Sequence, residues 1–180
     1  MNLIKELVYR LRGDYTTEKL VSMGMMVGKN FKRLHRTILD PSHCWLIEIG
    51  DNVTLAPEVH ILCHDASTKG FLGYTKIGRV TIGDNVFIGA GTVVLPGVTI
   101  GNNVIIGANS TVTKDIPSNS VAAGNPTNMI CTLEEYLEKE QTRMKTSPCF
   151  GEEYILGKNL SLEKRQEQRE SLKDKIGYVV

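Results

Sequence analysis

The sequence predicts an all-β core built as a parallel β-helix of hexapeptide repeats, and three observations carry that reading. From Ile82 an aliphatic residue returns at every sixth position, at Ile88, Val94, Ile100, Ile106 and Val112. The same frame holds upstream at Ile49, Leu55 and Ile61, and over these nine hexads the next residue is Gly or Ala six times. The fifth position is small or β-branched in eight of the nine, from Val53 to Ile116, with Asp65 the exception. Six residues on an α-helix turn a side chain by about 240°, so this repeat is not one helical face. Short strands joined by corners satisfy it. The aliphatic residue points inward, Gly or Ala lets the chain turn, and the fifth residue fills the space behind it. Three hexads then close one triangular coil of eighteen residues, stacked on the next at about 4.8 Å. Handedness does not follow from the pattern.

Ahead of the repeat, residues 1–26 read as an N-terminal helical segment, with Leu3, Leu7 and Leu11 spaced along one face. The segment lacks the continuous apolar run of a signal peptide or a membrane span. Val27–Phe31 reads as a first, irregular hexad and opens a β-helix domain over 27–130. From Ile61 to Ile82 is a step of twenty-one residues, three more than one coil, and the hexad grammar fails over Asp65–Lys76. An excursion from a regular scaffold is where binding loops sit. His64 stands at its root. After Pro126 the repeat stops, and 131–180 reads as a helical C-terminal extension. Thr132 and Glu135 form a capping box for a helix through Met144, 146–159 read as loop, and Ser161 opens a charged helix reaching Lys175. Such appendages would cover the exposed strand edges of a prism.

The composition narrows the function classes. A chain of 180 residues buries enough surface to need no disulfide or metal staple. Lys plus Arg total 21 against 20 for Asp plus Glu, which leaves no electrostatic footprint for nucleic acid or an anionic membrane. The cysteines, Cys44, Cys63, Cys131 and Cys149, follow no paired spacing, so neither a disulfide framework nor a zinc knuckle is expected. A cytoplasmic protein is the expectation.

Three stretches carry a family resemblance: I-G-D-N-V-F-I-G-A-G-T-V-V-L-P-G-V-T-I-G (82–101), I-G-A-N-S-T-V-T-K-D-I-P (106–117) and V-A-A-G-N-P (121–126). Over roughly 45–130 the chain resembles the hexapeptide-repeat acyltransferases, closest to sugar and polysaccharide O-acetyltransferases of the galactoside and maltose type. The resemblance implies a left-handed coil and a homotrimer with sites between subunits. It also implies acetyl-CoA as co-substrate, a saccharide or other small-molecule acceptor, and direct acetyl transfer to a hydroxyl. An N-acetyltransferase of an amino sugar, a drug-modifying acetyltransferase and, more distantly, a γ-carbonic-anhydrase-like hydratase are the alternatives. A non-catalytic trimeric scaffold is a further one.

The same resemblance assigns roles to residues. His64, followed by Asp65, matches the general base, a task suited to an imidazole that titrates near working pH. Asp65, Glu48 or a backbone carbonyl would orient it. Ala90 matches the backbone N–H that meets the thioester oxygen, Ala108 a contact to the pantetheine arm, and Thr113 and Lys114 contacts near the nucleotide. Basic residues that relatives carry after A-A-G-x-P are replaced by Asn128 and Cys131, which leaves more of the phosphate to Lys114. Phe87 stands where relatives carry an acceptor-side tryptophan, and Trp45 is a further candidate for the acceptor vicinity. Cys63 cannot readily touch His64, because successive strand residues face opposite sides, so no covalent acetyl-enzyme is expected. His60 and His64 raise a metal reading, but neither His35 nor His43 has a readable place as third ligand, and no metal is expected. Along one prism His64 and Lys114 are fifty residues apart, just short of three coils or about 13 Å of axis.

Overall fold

Strands of two to five residues, most of them turning an aliphatic side chain inward, stack into three sheets in the computed structural model, which describes residues 15–155 and 158–180. The first face holds Met26–Val27, Ile47–Ile49, Val80–Ile82 and Thr99–Ile100, continued by a bridge to Ile116. The second holds Lys32–Arg33, Thr54–Leu55, Val86–Ile88, Val104–Ile106 and Ser120–Ala123, and Asn128–Thr132 adds an antiparallel edge. The third holds Ile38–Leu39, His60–Ile61, Val93–Val94 and Thr111–Val112. Apart from that edge, every pairing within these faces is parallel, the signature of a β-helix.

The register shows why the hexad frame works. Ile49, Ile82 and Ile100 stack on the first face, Leu55, Ile88 and Ile106 on the second, and Ile61, Val94 and Val112 on the third, all buried. The fifth-position residues Val53, Val59, Val86, Val98 and Val104 are buried behind them. Buried hydroxyls replace valine at Thr92 and Ser110, among others. Thr92 Oγ1 and Ser110 Oγ both donate to the Gly107 carbonyl, at 3.0 and 2.7 Å, so neither hydroxyl is left unsatisfied.

The glycine after the inward residue has a different duty from the one the pattern suggested. A Cβ on Gly50 would lie 2.9 Å from the carbonyl carbon of Gly83 in the coil above, so close stacking excludes it. The left-handed conformation falls two residues later, on Asn52, Asn85, Asn103 and Asn119, with φ of 57°, 56°, 57° and 59°. With Asn30 (φ 56°) these asparagines form a ladder up one corner. Each side-chain NH₂ donates to the next side-chain oxygen, at 2.9 to 3.0 Å.

Five expectations are corrected by the structure. Within the stretch expected to be helical, 1–26, the described helix is Thr17–Ser22; Gly24 (φ 108°) follows it, and Met26–Val27 already pairs with the first face. Leu3, Leu7 and Leu11 lie outside the described residues. Val27 opens a complete coil rather than one irregular hexad, and Leu39 closes its third face. Its frame was hidden because Val27 pairs with Ile49, twenty-two residues on, and because Arg33 occupies the row of Leu55. There the Arg33 guanidinium donates to the carbonyls of Thr37 and Tyr15. The segment after Ile61 is not a coil with three residues added. Ile61 pairs with Val94, so fifteen residues beyond the eighteen leave the prism and return.

The last two corrections concern Glu134–Val180, which clusters as a compact unit separate from the one ending at Leu133. Inside the expected loop 146–159, Cys149–Phe150 pairs in parallel with Tyr178–Val179. The charged helix, capped by Ser161, spans Leu162–Ser171 and stops short of Lys175. A helix at Leu133–Met144 is tied to the small sheet by Tyr178, whose hydroxyl lies 2.7 Å from Glu140 Oε2.

The ladder makes a sharp prediction. Asn85→Ala removes two side-chain hydrogen bonds and forces a Cβ residue without a local partner into the left-handed region, so a loss of about 2–3 kcal/mol is expected. Asn85→Gly loses the same bonds but tolerates the conformation, and should recover about 1 kcal/mol of that. Urea midpoints of the two variants test the difference; equal losses would show that the backbone conformation is not what asparagine supplies.

Candidate active site

Two insertions leave the prism at the same corner, after the third face. The first follows Leu39 and lengthens the first coil to a repeat of twenty-two. It contains Asp40, His43 and the short 3-10 turn Cys44–Leu46, whose buried Cys44 places its thiol 3.7 Å from the Leu20 carbonyl. The second follows Ile61. It begins as a hairpin in which His64–Asp65 pairs antiparallel with Lys76–Ile77, and its tip exposes Phe71, Leu72 and Tyr74.

The insertions meet at His64. Its Nδ1 lies 2.5 Å from Asp40 Oδ2, and the Asp40 side chain has 0% exposure against 37% for His64. Asp40 also accepts the N–H of Cys63 at 2.9 Å and that of Ser42 at 3.0 Å. Burial pushes the Asp40 carboxyl up, but the hydrogen bonds from His64, Cys63 and Ser42 together outweigh it and hold the group below its ordinary range. Asp40 is therefore an anion at neutral pH. The imidazole Nδ1 must then carry the proton between them, which leaves Nε2 as the free lone pair.

The two carboxylates expected to orient His64 are engaged elsewhere. Asp65 pairs with Lys76 at 2.6 Å and, held by that ammonium and the Ser67 N–H, has its carboxyl lowered to about 2. Glu48 pairs with Arg79. Asp40 was missed because the twenty-two-residue step hid the first coil. With Leu39 set against Ile61, Asp40 falls level with Leu62, within two residues of His64.

His43, for which spacing gave no place, stands beside His64 with ring centroids 5.5 Å apart. Trp45 follows at 5.3 Å from His43 and is half exposed, so it shares this corner with His64. Among the described residues His43 Nδ1 is buried without a hydrogen-bond partner. One ligating atom each from Asp40, His43 and His64 lies within 4.8 Å of the others.

Not every expected site residue joins this corner. Thr113 and Lys114 follow the third face on the same side as His64, but two strand steps along it, from Ile61 through Val94 to Val112. That is about 10 Å of axis rather than 13 Å, because the excursion adds residues without adding a coil. Ala90 and Ala108 lie on the opposite edge of the third face, at least four residues or about 13 Å from His64. Neither of their N–H groups has an acceptor among the described residues, whereas Pro57, at the same place one coil below, has no N–H to offer. Beside them a groove of about 1010 Å³ runs over the outward third face, lined by His35, Ile38, His60, Gly91, Val93 and Asn109. Phe87 points outward from the second face and does not approach His64 within one chain.

Cys63 is buried beside the dyad and is chemically quiet. Burial, reinforced by the Asp40 charge, pushes its thiol up to about 12, and burial likewise raises Cys44. In the native protein at mildly alkaline pH, a chromogenic disulfide reagent should modify exposed Cys149 and spare Cys44 and Cys63 until the chain is unfolded. Prompt modification of Cys63, located by peptide mapping, would contradict this placement.

Comparison with known proteins agrees with the fold. The sequence pattern of the family described as Bacterial transferase hexapeptide (six repeats) matches residues 79–114. Protein CapG of Staphylococcus aureus is 38% identical over 143 residues, covering 76% of this chain and 83% of that protein. Among solved structures, a maltose O-acetyltransferase from Clostridium difficile 630 is 49% identical with a TM-score of 0.54, over 61% of this chain and 59% of the other. A galactoside acetyltransferase in complex with coenzyme A is 32% identical with a TM-score of 0.57, over 77% of this chain and 63% of the other. The chain spans about half the length of several other curated relatives, galactoside O-acetyltransferase of Escherichia coli (strain K12) among them.

Proposed function

The chain belongs to the hexapeptide-repeat acyltransferase family, and from that premise we propose that it moves an acetyl group from acetyl-CoA to a hydroxyl of a sugar or polysaccharide intermediate. The observation that carries the reading is the His64–Asp40 dyad at the root of the excursion. The thioester of acetyl-CoA supplies the acetyl donor. His64 Nε2 accepts the proton of the attacking hydroxyl and returns it to the departing sulfur, while Asp40 holds the ring and balances the imidazolium that forms. The free N–H of Ala90 steadies the developing oxyanion, a contact whose loss typically costs about 3–4 kcal/mol. Ala108 continues the row of free N–H groups along the donor arm, and exposed Thr113 and Lys114 meet its nucleotide end.

The base and the oxyanion donor must both come within about 3 Å of one reacting centre. His64 and Ala90 stand on opposite edges of the third face, too far apart for that within one chain. This separation supports a trimeric assembly in which each site draws its base from one subunit and its N–H donor from the next. The O-acetyl reading is favoured over amide formation because relatives with printed activities include sugar O-acetyltransferases.

Two sets of variants test the chemistry. His64→Ala should lower kcat by about a hundredfold or more, and Asp40→Asn by at least about tenfold, with little change in coenzyme A affinity. Glu48→Gln and Asp65→Asn should stay within about twofold, because their charges face Arg79 and Lys76. Acetyl transfer followed by free thiol release across a panel of saccharides reads all four, and near-normal turnover of His64→Ala would end the assignment. For the donor site, Lys114→Ala should weaken coenzyme A binding, more so at low salt, as expected for one lost phosphate contact. Calorimetry at two salt concentrations checks it, and unchanged affinity would remove Lys114 from the site.

A further inference from the structure

Asp40, His43 and His64 reach one point from two separate insertions, and their donor atoms form a compact set of two imidazoles and one carboxylate. We propose that these three side chains form a binding site for a borderline divalent cation of the zinc class, and that occupation of the site silences the base. The donor chemistry selects the ion. Imidazole and carboxylate suit Zn²⁺, Co²⁺ and Ni²⁺, whereas the neighbouring thiols of Cys44 and Cys63 are buried and protonated, so no soft thiolate enters the set.

The geometry is within reach of coordination. A tetrahedral ion with bonds near 2.1 Å holds its ligands about 3.4 Å apart, so shifts of about 1 Å, which open the Asp40–His64 hydrogen bond where Nδ1 is the ligand, bring a set already inside 4.8 Å to coordination. His43 and His64 are both partly exposed and free to make them, while Asp40 is fixed by two backbone N–H groups. A second observation points the same way. The buried Nδ1 of His43 has no partner among the described residues, and buried polar atoms are rarely left so unless an ion or water completes them.

The consequence for the base does not depend on which His64 nitrogen binds. Coordination through Nε2 occupies the lone pair that accepts the hydroxyl proton. Coordination through Nδ1 moves the ring proton to Nε2 and removes that lone pair as well. Three ligands leave a fourth position open to water, so an ion can enter and leave without unfolding the corner.

Binding and silencing are tested separately, because only the second rests on the proposed acetyl transfer. The full chain, stripped with a chelator, is titrated with Co²⁺ while its visible absorption and the fluorescence of Trp45, the single tryptophan, are followed. One saturable site per chain is expected, with quenching of Trp45 and displacement of Co²⁺ by Zn²⁺. Loss of a hydrogen-bond partner behind a metal ligand commonly costs about 10–100-fold in metal affinity, so removal of a ligand in His43→Ala or Asp40→Asn should cost at least tenfold. His60→Ala, altered on the outward third face, should bind as the wild type does. Zn²⁺ should then slow acetyl transfer over the range in which it binds, and a chelator should restore it. Absence of a saturable site, or binding indifferent to both ligand variants, overturns the site. Saturating Zn²⁺ that leaves acetyl transfer intact overturns the silencing, and a wild type without acetyl transfer would count against the proposed reaction while the Co²⁺ titration still decides the site.

Discussion

Close stacking of successive coils is the constraint on which the rest of this structure depends. Coils about 4.8 Å apart bring Gly50 against Gly83 so closely that no Cβ fits between them, and the corner must then reverse at the next available position. Asparagine does this because its side chain tolerates the left-handed region and hydrogen-bonds to the same side chain one coil above. A second row supports the first. Side-chain oxygens of Asp51, Asp84, Asn102 and Ser118 accept the backbone N–H groups of Lys29, Asp51, Asp84 and Asn102 in the coil below. The corner is therefore satisfied from both directions. The inward aliphatic residues can then be simple fillers of a core whose spacing is already set.

That rigidity leaves little room for chemistry on the faces, and it explains where the site lies. Parallel strands of two or three residues present alternating side chains at fixed spacing, so they cannot converge several groups on one atom. Convergence needs irregular backbone. Both insertions leave from the corner after the third face, one in the first coil and one in the second. They bring Asp40 and His64, twenty-four residues apart, into contact. What regular backbone can offer is a column of N–H groups, and at Ala90 and Ala108 no acceptor among the described residues claims them.

The parts that were legible in the sequence were those with unbroken register. Ile82 to Val112 gave the coil directly, and the failure of the grammar after Ile61 marked the excursion with His64 at its root. Asp40 and His43 were not legible, for the same reason that the first coil was not. A step of twenty-two in place of eighteen moves Val27, Arg33 and Leu39 out of frame, and an arginine in the row of Leu55 removes the apolar signal that would have restored it. Asp65 was one of three candidate partners of His64 because it is adjacent in sequence. A two-residue strand sends neighbours to opposite sides, and Lys76 across the hairpin claims its charge.

Burial separates Asp40 from the other carboxylates near the base, and it also fixes the pH range over which the dyad holds. Asp65 and Glu48 are each more than a third exposed, so water screens their fields and their cation partners neutralise them. Asp40 is dry, yet three hydrogen bonds keep it ionised below the ordinary carboxylate range. A carboxyl whose folded pKa is depressed adds stability that is present above its unfolded value and disappears as pH falls through its folded one. Asp40 thus remains an anion throughout the range in which an imidazole gains or loses its proton. The ring keeps Nδ1–H toward that anion, and Nε2 is the nitrogen left open. A buried carboxylate held as an anion thus leaves the histidine beside it a single nitrogen with a free lone pair.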